Sequence, residues 1–342
     1  MHRIKYSFPI IETERELMQK MATPSSPVKE AISKLDGEIM ILGVGGKMGP
    51  SLAELLVKAG GQVVGVDLFP NQSVHDYLAS VGVQTIKADL MDELELKNLP
   101  DIKHVIIMVG TKFGSTGNEP FTWAINAMLP ARLMQRFPHS KIIYMSSGNV
   151  YKFVSIDSGG AIETDPVEPI GEYAQSRLGG ERLVQFFSQR NGTKACIVRL
   201  FYATELRYGI IHDVAQKVKS GEPIELSMGY VNQIWQGDAN AYIARLFPFC
   251  DSPPRVLNLT GAETLPIRKI ALRIGELMGI EPKLVGTESD TALLGNAREV
   301  MNLLGKPQVS TDEIIEWVTW WVEHDKASLD KPTKYESRSG KF

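Results

Sequence analysis

An α/β fold built on a doubly wound parallel sheet, followed by a smaller C-terminal α+β cap, is what this 342-residue chain predicts. Three observations carry that expectation. From residue 38 to about residue 200, short apolar runs rich in Val and Ile alternate with helix-like stretches, the pattern of a parallel sheet covered on both faces. The first run leads straight into glycines at 43, 46 and 49 and then into a helical segment. Beyond residue 200 the rhythm breaks into shorter runs separated by helices, as expected of a second, smaller body.

Taken in order, residues 1–37 form a helical arm with two helices, 12–21 and 27–35, separated by a linker with prolines at 24 and 27. The second helix has Ser26 as its expected N-cap and Pro27 in its first turn, where a missing N–H costs nothing. Strands are then predicted at 38–42, 62–66, 83–87, 104–109, 142–145 and 195–200. The core domain therefore covers 38–205, with returning segments at about 230–260. A short run at 256–259 falls in the returning stretch, and the cap takes 206–229 and 261–330, with a helix at 266–278, a run at 282–285 and a last helix opened by the Ser310-Thr-Asp-Glu313 capping box. Ile314, Ile315, Trp317, Val318, Trp321 and Val322 recur at helical spacing and read as a packing face. Residues 331–342 read as a flexible tail.

The glycine loop is the most specific local signal. In Ile39-Met-Ile-Leu-Gly43-Val-Gly45-Gly46-Lys47-Met48-Gly49 a strand ends in residues without side chains, so that backbone N–H groups and the N-terminus of the following helix can meet a pyrophosphate. Asp67 closes the second strand, 24 residues after Gly43. A carboxylate there accepts hydrogen bonds from an adenosine ribose and repels a 2′-phosphate, which favours NAD over NADP.

Composition narrows the class of partner. The chain is 43% hydrophobic and 23% charged, with 37 basic and 40 acidic residues and no block of like charge. Nucleic acid and anionic membranes are therefore not expected as partners. With Cys196 and Cys250 its only cysteines, and its six histidines scattered, no disulfide framework or metal site is expected, and a reduced cytoplasmic setting fits. Neither a secretory leader nor a membrane-length apolar stretch is apparent.

The fifth predicted strand ends in Tyr144-Met-Ser146-Ser147-Gly148-Asn149-Val-Tyr151, and Gly171-Glu-Tyr173-Ala-Gln-Ser-Arg177 follows at the start of a long helix. With the glycine loop, Asp67, Ala88-Asp89-Leu90, Asn126, Asp238 and Leu304-Gly305-Lys-Pro307, this order of motifs resembles the extended short-chain dehydrogenase/reductase family, in its NAD-dependent epimerase/dehydratase branch. The likeness spans about residues 38–325. It implies a Rossmann-type sheet and an NAD-dependent epimerase, dehydratase or dehydrogenase acting on a carbinol of a sugar-like substrate. Tyr173 takes the position of the general acid/base, Ser147 that of the hydroxyl steadying the substrate oxygen, Arg177 that of the neighbouring cation, and Asn126 completes the catalytic set. Tyrosine works as a base near neutral pH only if positive charge lowers its ordinary pKa of about 10.

The same resemblance puts the cofactor against Gly43, Gly45, Gly46, Lys47, Met48, Gly49, Asp67, Leu68, Asp89, Leu90, Val109, Gly110, Lys112, Tyr173, Arg177 and Phe201. Substrate falls against Gly148, Asn149, Tyr202, Arg207, Asn232 and Trp235. The chain departs from the family pattern in three places. Arg177 replaces a lysine, and the two cations are not interchangeable. Lys112, in a loop where sugar epimerases of the family carry a similar lysine, is no departure and offers a second positive charge after the fourth strand. Arg199-Leu-Phe201-Tyr202 has a phenol where nucleotide-sugar relatives have an amide, and residues 285–296 contain no arginine to grip a diphosphate. A free sugar, sugar acid or sugar lactone is therefore the expected substrate, with a nucleotide-sugar enzyme, or a non-catalytic NAD-binding sensor or assembly subunit, as the alternatives. A homodimer is expected by analogy with the family.

Overall fold

The computed structural model describes residues 5–112 and 114–341, so residues 1–4 of the predicted arm and residue 342 of the predicted tail lie outside the described residues. Seven parallel strands form the main sheet: β1 (Ile39–Leu42), β2 (Val63–Asp67), β3 (Gln84–Lys87), β4 (His104–Ile107), β5 (Lys141–Ser147), β6 (Ala195–Leu200) and β7 (Arg255–Leu259). Their spatial order is β7-β6-β5-β4-β1-β2-β3. This is the Rossmann-type doubly wound arrangement, with the order reversing beside β1 and β4. Such a reversal opens a crevice at the carboxyl ends of the strands.

The apolar runs become strands because each is enclosed on both faces. All four residues of β1 and of β4 are buried, and β5 is buried from Ile142 to Ser147. One face packs on the helix Gly49–Lys58 and on Tyr242 to Phe247; the other packs on residues 125–137 and Val184. The segment 255–259, within the returning stretch expected at about 230–260, adds the seventh strand by pairing in parallel with β6, Leu257 opposite Val198.

A second core gathers the helices Ile210–Ser220, Ile267–Met278 and Thr311–Glu323. The last has the predicted capping box, with Ser310 and Glu313 bonded reciprocally, and its Trp317 and Trp321 are buried, 3% and 1% exposed. Small two-stranded pairings knit this region together: Tyr202–Thr204 runs parallel to Gln233–Trp235, Ile224–Glu225 pairs with Leu284–Val285, and Tyr230–Val231 is antiparallel to Leu265–Pro266.

The arm packs against both cores. Its first helix, Glu14–Met21, opens with a Thr13 capping box and buries Leu17 and Met21 in the second core. The next, Ser26–Ser33, buries Val28 and Ile32 in the sheet's core. It starts one residue earlier than the sequence suggests, so Ser25 stands at the N-cap and makes no side-chain capping bond. Residues 331–341, read from sequence as a flexible tail, are held in the structure by hydrogen bonds to the cap and by burial of Thr333 and Tyr335. Tyr335 is an aromatic that a flat polar composition hides, and burial of its ring overrides the tail's local propensity. Among the described residues no helix is long and apolar enough to cross a membrane.

Candidate active site

The site begins where β1 stops. Gly43 has φ +85°, and a Cβ there would lie 2.9 Å from the Val109 backbone at the end of β4, so only glycine lets the two strand ends approach. At Gly49 a Cβ would come within 2.1 Å of the Val44 carbonyl, which allows the turn to tighten directly into the helix Gly49–Lys58. That helix has no side-chain N-cap, and its first amides face the loop uncapped. A glycine-lined turn feeding an uncapped helix N-terminus is a ready anion cradle. Asp67, at the tip of β2, accepts from Gly45 N at 2.9 Å and from Phe69 N at 3.2 Å, which holds its carboxylate over the loop where a ribose would meet it. The residues present therefore fit an adenine dinucleotide.

One cleft of about 240 Å³ joins the pieces. Its wall includes Gly43, Gly46, Lys47, Met48 and Gly49 from the loop, Gly110 and Lys112 after β4, Ser147 and Asn149 after β5, Tyr173 and Arg177 from the helix Glu172–Asn191, and Phe201, Tyr202 and Tyr208 beyond β6. The parallel sheet is the reason: residues far apart in sequence arrive at one edge because all strands end there.

Ser147 caps a single 3-10 turn, donating to Asn149 Oδ1 at 3.0 Å and accepting from Asn149 N at 3.2 Å. Tyr173 is half-buried in the first turn of its helix, and Arg177, one turn on, is only 4% exposed. The guanidinium reaches the end of β4, donating to the Val109 carbonyl at 3.3 Å and to Asn126 Oδ1 at 3.4 Å. Its Nε is buried without a hydrogen-bond partner, a costly arrangement for a cation unless a ligand approaches. Asn126 sits in a π-helical turn, Ala124–Met128, where the ladder opens by one residue. It accepts from Thr111 N at 2.9 Å and donates to the Thr111 carbonyl and to Ser176 Oγ, so it fastens the loop after β4 to the helix of Tyr173.

Two lysines line the same cleft. Lys47 donates to the Ala203 carbonyl, lies 4.0 Å over the Tyr208 ring, and is pushed down to about 7 by burial, which outweighs the help of Glu205. The residue as a whole is half-buried, but its amine is enclosed, and it is the amine's surroundings that govern its charge. Lys112 lies 5.9 Å from the ring centres of both Tyr173 and Tyr202, donates to the Thr333 carbonyl at 3.4 Å, and is lowered to about 8, again by burial. Burial raises the phenols of Tyr202 and Tyr208 instead, so both stay neutral hydroxyls near pH 7.

Other residues singled out from sequence fall elsewhere. Asp89 ties its own turn by accepting from Met91 N, Leu90 is buried in the sheet's core, and Leu68 is 53% exposed beside Asp67. Gly148 lies against the Phe201 ring, where a Cβ would come within 2.6 Å or less. Asn232 clasps both backbone groups of Gly295, and Trp235 packs edge-on against Trp317, 5.4 Å between ring centres, in the second core. Arg207 is held by Glu205 and Glu14. None of these last three lines the cleft. Tyr208, Met108, Met145 and Ser146 do line it without having been singled out. Their only sequence signal is adjacency: Tyr208 immediately precedes the Gly209 that opens a helix, and Ser146 precedes Ser147.

Residues 39–230 match the family described as the NAD dependent epimerase/dehydratase family. Among solved structures, the chain is similar to UDP-glucuronic acid 4-epimerase from Bacillus cereus in complex with NAD, with 20% identity, a TM-score of 0.72, and 84% of this chain and 97% of that one covered. It is also similar to MoeE5 in complex with UDP-glucuronic acid and NAD, at 20% identity and a TM-score of 0.68 over 84% and 99% of the two chains. A third similar structure is DesIV, a dTDP-glucose 4,6-dehydratase from Streptomyces venezuelae with NAD bound, at 18% identity and a TM-score of 0.71 over 84% and 97%. A search of curated proteins finds no match.

Proposed function

Because this chain belongs to the NAD-dependent epimerase/dehydratase family, and is an enzyme of that type with NAD as its cofactor, we propose that its substrate is a small polyhydroxylated molecule, a free sugar, sugar acid or sugar lactone, oxidised at one carbinol. The observation that carries this reading is the single cleft in which Ser147, Tyr173, Arg177 and Lys112 meet the glycine loop. NAD, when bound, supplies the acceptor for the hydride that leaves the carbinol carbon.

The chain's own residues account for the rest. Tyr173 takes the carbinol proton, and Ser147, oriented by Asn149, holds the substrate oxygen. Lys112 stands 5.9 Å from the centre of the Tyr173 ring, and Arg177, one helical turn on from Tyr173, lines the same cleft. Asn126 and Ser176 position the helix that carries Tyr173 relative to the β4 loop. Lys47 and the uncapped helix Gly49–Lys58 face the place of the pyrophosphate.

The preference for a small substrate is supported by three of the four arginines of the cap. A diphosphate normally takes a free guanidinium fork, yet Arg207 pairs with Glu205 and Glu14, Arg268 with Glu288, and Arg273 with Glu276 and Glu316. The nucleotide-sugar reading draws on the names of the similar structures. The test is a panel of free sugars, sugar acids and lactones given to the protein with NAD, followed by NADH absorbance and by product analysis for isomers. Turnover that Tyr173→Phe lowers by about 10²–10⁴-fold supports the assignment; turnover that survives the substitution sinks it.

A further inference from the structure

Residues 329–341 run beside the site, touching it through Lys112. Leu329 N donates to the Arg207 carbonyl, and Thr333 then gives both its N–H and its hydroxyl to Asp213 Oδ2, at 2.8 and 2.6 Å. The carbonyl of the same Thr333 accepts from Lys112, which stands over the Tyr173 ring. Tyr335 is 1% exposed, and its hydroxyl is buried without a partner. Arg338 donates to the Thr291 carbonyl at 2.9 Å and to Thr291 Oγ1 at 2.7 Å, with its guanidinium 4.4 Å over Phe153. Gly340 has φ +69°, and a Cβ on it would lie 2.1 Å from the Ile170 carbonyl. Its neighbour across that contact is Gly171, the N-cap of the helix bearing Tyr173.

Asn149 and Tyr202 belong to the walls of two spaces at once. On one side is the cleft with Tyr173. On the other is a cavity of only about 20 Å³, closed by Lys334, Tyr335, Ser337 and Gly340. That is room for about one or two waters, whereas clefts that hold a larger organic ligand run to about 300–1,000 Å³. Any substituent extending from the reacting ring past Asn149 meets the tail.

We propose that residues 333–340 are the specificity-determining wall of the substrate site, admitting a single sugar-sized ring and excluding a nucleoside diphosphate substituent. The inference rests on the reading of the cleft as the NAD-dependent site. Four anchors, at Asp213, Thr291, Lys217 through Glu336, and Ile170–Gly171, make this wall part of the folded protein rather than a loose end. The Tyr335 hydroxyl is buried without a partner, and its residue lines the small cavity behind Asn149.

The test compares the full chain with a variant ending at residue 330, and with the double variant R338A/G340V, which loosens the tail if the truncated chain does not fold. Thermal shift and calorimetry are run with NAD, UDP and UDP-glucose. NAD is expected to stabilise every folded form. UDP-glucose is expected to leave the full chain unchanged and to bind the loosened variant at least tenfold more tightly. Binding of UDP-glucose to the full chain, or its failure to bind either variant, would overturn the proposal. Hydrogen exchange on the full chain adds an independent reading: faster exchange of 333–340 when UDP-glucose is added would mean that the tail yields, and is not a wall. Failure of the parent reading looks different, since it removes the response to NAD itself.

Discussion

A single side chain, Lys47, carries much of what makes the cofactor cradle responsive. Burial disfavours its ammonium and pushes it down to about 7. A bound pyrophosphate has the opposite effect, because its negative charge favours the protonated amine. The complex therefore holds a proton that the free protein has already lost above pH 7, and binding takes that proton up. NAD affinity is thus expected to fall as pH rises above 7, by up to about tenfold per unit where uptake is complete. Calorimetric titration in buffers of different ionisation enthalpy reads the uptake directly, and Lys47→Met should abolish it. Lys112 acts at the catalytic end of the same cleft, so Lys112→Met is expected to lower kcat by about tenfold or more while Tyr173 and Ser147 remain in place. Unchanged NAD affinity together with unchanged turnover would rule that role out. The glycine loop and Asp67 were readable in the sequence because strand, loop and helix signals are local, whereas Ser147 and Tyr173 were singled out only through the order of motifs that resembles the family. The lysines' pKa shifts were not, since desolvation depends on residues such as Ala203 and Tyr208 that lie more than 90 positions away.

Among the elements, the helix Glu172–Asn191 decides how well the site is assembled. Its face against the π-helical turn is set by Gly180, where a Cβ would come within 2.3 Å of both the Asn126 carbonyl and the Tyr144 hydroxyl. Backbone cannot move away cheaply, so Gly180→Ala should push the helix off the turn and cost about 1–3 kcal/mol. Because the helix carries Tyr173 and Arg177, the same change should depress kcat more than NAD affinity, a split measurable by steady-state kinetics beside calorimetry. An unaltered melting temperature in Gly180→Ala would contradict the packing described. The same helix holds Glu181, fully buried and paired with Arg199 at 2.8 Å, which in turn donates to Tyr151. Removing one partner of such a pair leaves a stranded charge, so Glu181→Gln is expected to destabilise by about 3–5 kcal/mol in urea unfolding. The sequence placed a helix here from its pattern and from Gly171 before it. Which face turns inward was hidden, because Ser176, Arg177 and Glu181 are polar residues that only tertiary partners make suitable for burial.

Across the whole molecule, the arm is one of the segments that pack on both cores. Leu17 lies in one core and Val28 in the other, only 11 residues apart. A change in the arm should thus weaken both. Leu17→Ala is expected to cost about 2–5 kcal/mol, and unfolding followed by tryptophan fluorescence, which reports the second core, should keep the same midpoint as far-UV dichroism, which reports the sheet as well. Separated midpoints would mean that the cores unfold independently and that the arm does not couple them.

From its residues alone, the chain determined the doubly wound sheet and the glycine loop with Asp67 beyond it, because each depends on spacing within one strand, one turn or one helix; the grouping of Ser147, Tyr173 and Arg177 was an expectation from the family resemblance, since it joins two different elements. The seventh strand's place at the sheet edge, the burial of the tail and the pairing of Arg207, Arg268 and Arg273 with carboxylates were decided only in three dimensions. A short apolar run such as 255–259 belongs to whichever sheet offers it an edge, and β6 does. Polar segments such as 331–341 carry no periodicity to reveal burial, which comes from Asp213, Thr291 and Gly171 lying up to 169 residues away. Ion pairs likewise depend on where two long side chains converge, and sequence distance says nothing about that.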